Sequence, residues 1–150
     1  MISWRRATDL RDAGVRWSPA PGDQFRLLVD GADGDLFTVS DLTIEPHEFD
    51  TGVILGFNGT TEWALDSVAL EDTLWHPRED QLRVLLGGAF DSLHRDDGTA
   101  DDGTADDDGA TPRFTVTASI PGAGSARCTE HDAADAYARA VLALVHASRD

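Results

Sequence analysis

The residues with the clearest chemical potential form a short group of acids and imidazole, Glu45, His47 and Glu48. Imidazole and carboxylate are the side chains with which proteins bind zinc or manganese. In a β-strand, successive side chains point to opposite faces, so Glu45 and His47 share a face while Glu48 lies on the other. At most two of the three converge, and polar residues on an exposed sheet face explain the pattern equally well.

Cys128 is the second candidate for chemistry, because His131 follows it at the spacing of half a metal site. No second pair of ligands in the sequence completes that site. A catalytic thiol also needs a base and an oxyanion donor, which position alone does not supply. We interpret Cys128 as a small core residue, and as the only cysteine it cannot form an intramolecular disulfide.

Several motifs of catalysis are missing from the sequence. All twelve basic residues are arginine, so the chain has no lysine for a Walker loop, a Schiff base or a kinase ion pair. The GxSxG, HExxH and GxGxxG patterns do not occur either. The sequence therefore predicts a non-enzymatic protein without a cofactor.

The net charge of −16 restricts the class of partner. Seven of the 28 acids lie between Asp96 and Asp108, and the rest of the chain still carries −9. Because phosphates repel such a surface, nucleic acid and anionic membranes are not expected as partners, whereas a basic protein is an open possibility. The sequence contains no signal-peptide pattern and no apolar run of the length a membrane span needs, so a cytoplasmic location is expected.

The hydrophobic periodicity predicts an α+β fold. Three helices are expected, at 3–13, 77–86 and 132–147, with Ser3 and Asp132 as N-caps and Gly14 and Gly87 as stops. Strands are expected at 25–29, 36–39, 42–49, 53–57, 89–94, 113–118 and 126–129, with Pro46 indicating an edge strand or a bulge. Residues 61–70 fit a short helix about as well as a strand.

These elements predict one domain over residues 1–150, with an antiparallel sheet of about five to seven strands and about three helices mainly on one face. The run Asp-Asp-Gly-Thr-Ala begins at Asp96 and again at Asp101, and then degenerates. With paired acids and no core residue, the segment at about 96–111 is predicted to be a disordered loop. It lacks the alternating ligands and distant glutamate of an EF-hand.

A speculative binding surface can be assembled from aromatic, basic and imidazole residues. Tryptophan and arginine are enriched at interaction hot spots. The candidates are Trp63, Trp75, Arg78, Arg83, His47 and His76, and Trp17 is a further tryptophan with the same potential. Tryptophan in a small domain also serves as core, and Arg78 and Arg83 also fit a solvated helix face.

The runs VSDLTIEPHEFDTGVILGFNGTTEWALDSV, LWHPREDQLRVLLGG and DAADAYARAVLALV resemble a family of small uncharacterised actinobacterial proteins. Automatic naming sometimes labels that family as pilus assembly proteins. The resemblance covers nearly the whole chain except the acidic repeat. It implies no catalytic residue, and the pilus label implies a partition-type ATPase or receiver-like protein, although the chain lacks the lysine of those ATPases.

The leading prediction is a cytoplasmic, non-enzymatic protein-interaction module with an unknown protein partner and an unknown oligomeric state. One alternative is an acidic immunity-type or mimic protein that binds a basic partner. A second alternative is a metal-dependent enzyme around Glu45, His47 and Glu48.

Overall fold

The computed structural model describes residues 1–28, 34–40, 43–57, 67–97 and 111–149. Within these ranges lie three α-helices and nine β-strands. The helices span Trp4–Asp12 (α1), Glu79–Leu86 (α2) and Ala133–Ala147 (α3). The strands span Gln24–Leu27 (β1), Leu36–Thr38 (β2), Ile44–Phe49 (β3), Gly52–Phe57 (β4), Ser67–Ala69 (β5), Thr73–Trp75 (β6), Phe90–Asp96 (β7), Arg113–Ile120 (β8) and Gly124–Glu130 (β9). The predictions for residues 61–66 and for most of the acidic loop fall outside the described residues.

Local sequence signals determine where the helices begin and end. The Ser3 hydroxyl accepts a hydrogen bond from the Arg6 amide at 3.3 Å, and the Asp132 carboxylate accepts one from the Ala134 amide at 2.8 Å. These contacts satisfy amide groups that have no partner within a helix. Helix α2 ends at Gly87, where φ is 52°, a conformation that favours glycine. The three predicted helices are confirmed.

The nine strands form three antiparallel sheets, in the orders β2-β1-β6, β3-β4-β5 and β7-β8-β9. The α+β class is confirmed, but the prediction of one sheet of five to seven strands is wrong. The alternation of apolar residues shows which face of a strand is buried, but not which strand lies beside it. The pairing of β1 with β6 joins Leu27 to Thr73, across a separation that no local turn signal indicates.

The residues cluster into two compact units. We call Gly14–Pro77 the central unit, and Met1–Ala13 together with Arg78–Asp150 the terminal unit. The terminal unit contains all three helices and the sheet β7-β8-β9, and α3 packs on β8 and β9 while α1 and α2 pack on α3. The buried side of β8 is Val116, Ala118 and Ile120. A single domain stays a prediction.

The central unit contains two small sheets, β2-β1-β6 and β3-β4-β5, around one apolar cluster. The buried members of the cluster are Phe25, Leu27, Val39, Ile44, Leu55 and Val68. Phe37 of β2 and Phe57 of β4 meet edge to face, with ring centroids 5.9 Å apart. Edge-to-face contact is a favoured arrangement of aromatic rings, and here it joins the two sheets.

Candidate functional site

The proposed metal ligands lie on β3, at the edge of the sheet β3-β4-β5. The edge position that Pro46 predicted is confirmed, and the pairing of β3 with β4 runs from Ile44 to Phe49 without a bulge. Glu45 and His47 therefore share one face, and Glu48 lies on the other. Among the residues that the structure describes, no three histidine, cysteine or acidic side chains come together in a way that could hold a metal ion.

His47 packs across the strand rather than toward another ligand. Its Nε2 atom lies 2.9 Å from the point where a Cβ atom at Gly56 would be. Real Cβ atoms essentially never come this close to another atom. The absence of a side chain at Gly56 thus leaves room for the imidazole beside β4, and Gly56 is itself buried.

The same strand brings an aromatic side chain to the surface. Phe49 is 57% exposed. Ile44 is buried in the central cluster, and Phe49, five residues later, lies on the opposite face with Glu45 and His47. Phe49 pairs with Gly52, which has no side chain to cover the ring.

Two further residues extend this surface across the sheet. Ile54 pairs with His47 on one side and with Ala69 on the other, and both Ile54 and Ala69 are half-buried. Ser67 of β5 pairs with Gly56 and is exposed. We call the outer surface of β3-β4-β5 the hairpin face, and it consists of Glu45, His47, Phe49, Ile54, Ser67 and Ala69.

Acidic side chains surround the hairpin face. Glu48 and Asp50 flank Phe49 along the chain, and both are exposed. Glu71 and Asp72 are exposed in the short 3-10 turn Leu70–Asp72, which contacts β4. The hairpin face is therefore a small apolar strip whose rim consists of Glu45, Asp50, Glu71 and Asp72, while Glu48 lies on the opposite face of β3.

Charge is divided unequally between the two units. The central unit holds twelve acids and two arginines, a net charge of −10. The terminal unit holds sixteen acids and ten arginines, but seven of its acids lie between Asp96 and Asp108. Without that acidic tract, the terminal unit carries a net charge of +1. The acidity of the chain thus comes from the central unit and from the tract.

Trp75 and His76 are less accessible than a hot-spot assignment requires. The indole rings of Trp17 and Trp75 stack with centroids 6.2 Å apart and an interplanar angle of 4°. Within the described residues, the buried Trp75 Nε1 has no hydrogen-bond partner. His76 is only 2% exposed. His76 is buried and Trp75 is half-buried against Trp17, so both favour a role in the scaffold.

The two arginine candidates are held by contacts in the terminal unit. Arg78 forms an ion pair with Asp80 at 3.1 Å, and this guanidinium lowers the pKa of the Asp80 carboxyl. Arg83 lies over the Phe90 ring, 4.4 Å from its centroid, and Phe90 stacks on Tyr137. Both arginines are therefore held by local contacts within the terminal unit. Trp63, the remaining candidate, lies outside the described residues.

Cys128 lies on the buried side of β9, opposite Val116. Its side chain is buried, and burial raises the pKa of the thiol. A thiol with a raised pKa is a poor nucleophile at neutral pH, because the thiolate is the reactive form. This placement agrees with the interpretation of Cys128 as a core residue.

The sequence reasoning missed the hairpin face for two reasons. Phe49 is not among the candidates that the sequence suggested, although its position one step out of phase with Ile44 was a signal that it faces outward. The charge division could be counted from the sequence, but only once the boundaries of the central unit were known.

Within the described residues, no helix has both the length and the apolar character needed to cross a membrane. Comparison with protein-family models, curated proteins and solved structures finds no match for this chain.

Proposed function

We propose that this protein is a non-enzymatic interaction module whose central unit binds a basic protein partner. The observation that carries the proposal is the division of charge between the units, with −10 in the central unit against +1 in the terminal unit outside its acidic tract. This joins the prediction of an interaction module to the alternative of an acidic protein with a basic partner.

The structure of the central unit supports this reading. A negative charge kept only for solubility needs no particular location, because any distribution keeps molecules apart. Here the charge is concentrated on a small β-unit that also exposes an aromatic ring. A concentrated field of one sign speeds the encounter with an oppositely charged partner and repels phosphate polymers. We therefore propose a cytoplasmic protein partner and not a nucleic acid or a membrane.

The experiment compares two charge variants of the full chain as baits in a lysate. The first replaces Glu45, Glu48, Asp50, Glu71 and Asp72 by the corresponding amides. The second, its matched control, replaces Asp101, Asp102, Asp106, Asp107 and Asp108 by asparagine, which removes the same five charges from the acidic tract. Captured proteins are identified by mass spectrometry, and the binding of the purified partner is then measured by calorimetry at two salt concentrations.

The expected result is a basic protein that the wild-type chain and the tract variant capture and that the central-unit variant loses. Its affinity should fall as salt rises, since screening shortens the range of the attraction. The proposal fails if no protein is captured above background, if both variants capture the partner equally, or if the affinity does not respond to salt.

A further inference from the structure

We infer that the hairpin face is the docking surface of the central unit and that its occupant is a basic, amphipathic segment of the partner protein. This inference rests on the proposed function and adds the location of the contact and the chemistry of the bound segment. It is argued from the exposure of Phe49, from the pairing of the strands behind it and from the charge around it.

The apolar part of the hairpin face includes the exposed ring of Phe49. A phenylalanine that is 57% exposed at the end of a hairpin contributes little to the core of the unit. Its cross-strand partner is Gly52, and a Cβ atom built there would meet no atom of the described residues within 4 Å, apart from its own chain neighbours. One side of the ring is therefore open. Ile54 and Ala69 continue apolar surface across the sheet on the same face.

The rim of the hairpin face is acidic. Glu45 lies on the hairpin face itself, Asp50 follows Phe49 in the turn, and Glu71 and Asp72 follow β5, whereas Glu48 belongs to the opposite face of β3. The two arginines of the central unit lie elsewhere in it. Arg16 precedes β1, and Arg26 donates to the Gly34 carbonyl. A carboxylate rim around an apolar centre matches the usual anatomy of a protein interface, with a hydrophobic middle and a polar border.

Charge complementarity identifies the occupant. A second copy of this chain would bring a charge of −16 against −16, and two identical acidic rims would repel each other. A purely polar basic segment would leave the Phe49 ring and Ile54 uncovered. A segment that alternates apolar residues with arginine or lysine satisfies both parts of the surface, because its apolar side chains cover the strip while its cations reach the rim.

The test uses three fluorescent twelve-residue peptides as probes, with binding to the full chain followed by anisotropy. The first alternates arginine and leucine, the second arginine and serine, and the third glutamate and leucine. Each is measured with the wild-type chain and with the tract variant described above, so that contacts with the acidic tract do not hide the effect. We expect the arginine-leucine peptide to bind about tenfold more tightly than the arginine-serine peptide, and the glutamate-leucine peptide not to bind.

Three substitutions locate the contact. Phe49→Ser removes the exposed ring, and Ser67→Arg places a cation at an exposed position of the same face. Each should weaken the arginine-leucine peptide about tenfold, the loss typical of a central hot-spot residue. Val84→Ser is the matched control, since Val84 is an exposed aliphatic residue of the terminal unit, and it should leave the affinity unchanged. Circular dichroism checks that each variant is folded, and if Phe49→Ser is not folded, Ser67→Arg decides.

The inference is overturned if the arginine-leucine peptide does not bind the wild-type chain, if it binds no better than the arginine-serine peptide, or if the folded face variants bind it as the wild type does. The proposed function is judged separately by the lysate experiment. A partner that depends on the central acids but not on Phe49 or Ser67 would keep the proposed function and remove the hairpin face as its contact.

Discussion

The side chain of Asp23 should be one of the main polar supports of the central unit. It is only 3% exposed, and its Oδ2 atom accepts hydrogen bonds from Trp17 Nε1 at 2.9 Å and from the Ala20 amide at 3.0 Å. Trp17 in turn stacks on Trp75 and contacts Phe25. One carboxylate therefore closes a turn and holds an indole against the core.

Replacing Asp23 by alanine leaves two partly buried donors without this acceptor. An unsatisfied buried donor costs about 1–3 kcal/mol, and both groups are partly buried, so we expect a loss of about 2–4 kcal/mol. Asp23→Asn keeps an oxygen acceptor and loses only the charge, so the expected loss is about 1 kcal/mol. With a urea dependence of about 2 kcal/mol per molar, the alanine variant should shift the unfolding midpoint by about 1–2 M.

The assay is urea unfolding followed by tryptophan fluorescence and by circular dichroism. Fluorescence should respond most strongly, because Trp17 and Trp75 lie in the affected unit. Asp35→Ala is the matched control, since it removes one acid from an exposed position of the same unit. The reasoning would be refuted if Asp23→Ala destabilised no more than Asp35→Ala. It would also be refuted if asparagine destabilised as much as alanine, since acceptor geometry would then be irrelevant.

Two further predictions concern titrating groups. Burial raises the pKa of Cys128, so the stability of the folded protein should be fully present below the ordinary pKa of a thiol and should fall as the pH rises toward the pKa of the folded state. Cys128→Ala should remove this alkaline loss of stability in denaturation curves. A thiol reagent should label the folded wild type slowly at pH 8. The Arg78 guanidinium lowers the pKa of Asp80, so Arg78→Ala should raise that pKa in an NMR titration; an unchanged value would show that the ion pair does not form in solution.

The sequence predicted the helices well because their boundaries depend on neighbouring residues. A serine or aspartate cap acts within three residues, and Gly87 ends α2 through its own backbone conformation. The packing of α2 is less local. Leu82 and Leu86 are buried, whereas Leu85, also apolar, is 36% exposed. A pair of leucines one turn apart is enough to seat so short a helix on its neighbour.

The sheets could not be predicted because strand pairing is not a local property. β6 has three residues, and its alternation is too short to detect, yet it pairs with β1 and completes one sheet. The candidate site was hard to predict for the same reason, because the burial of its residues depends on strand pairing. Trp75 and His76 were chosen for their side-chain chemistry, whereas their position beside β1 leaves Trp75 half-buried and His76 buried. Phe49 is absent from the sequence candidates because its exposure depends on which face of β3 packs on the core.

The distribution of arginine gives the acidity of the central unit a meaning that net charge alone lacks. In the terminal unit, arginines are tied to acids. Arg6 contacts both Asp9 and Glu130, at 3.0 and 2.7 Å, and Arg139 reaches the same Glu130 oxygen at 3.3 Å. Such pairs neutralise charge within the terminal unit and connect α1, β9 and α3. The central unit has only two arginines for its twelve acids, so its own arginines leave a net charge of −10 unbalanced. A surface of this kind carries a lasting attraction for cations from outside, and that attraction is the physical basis of the proposed binding.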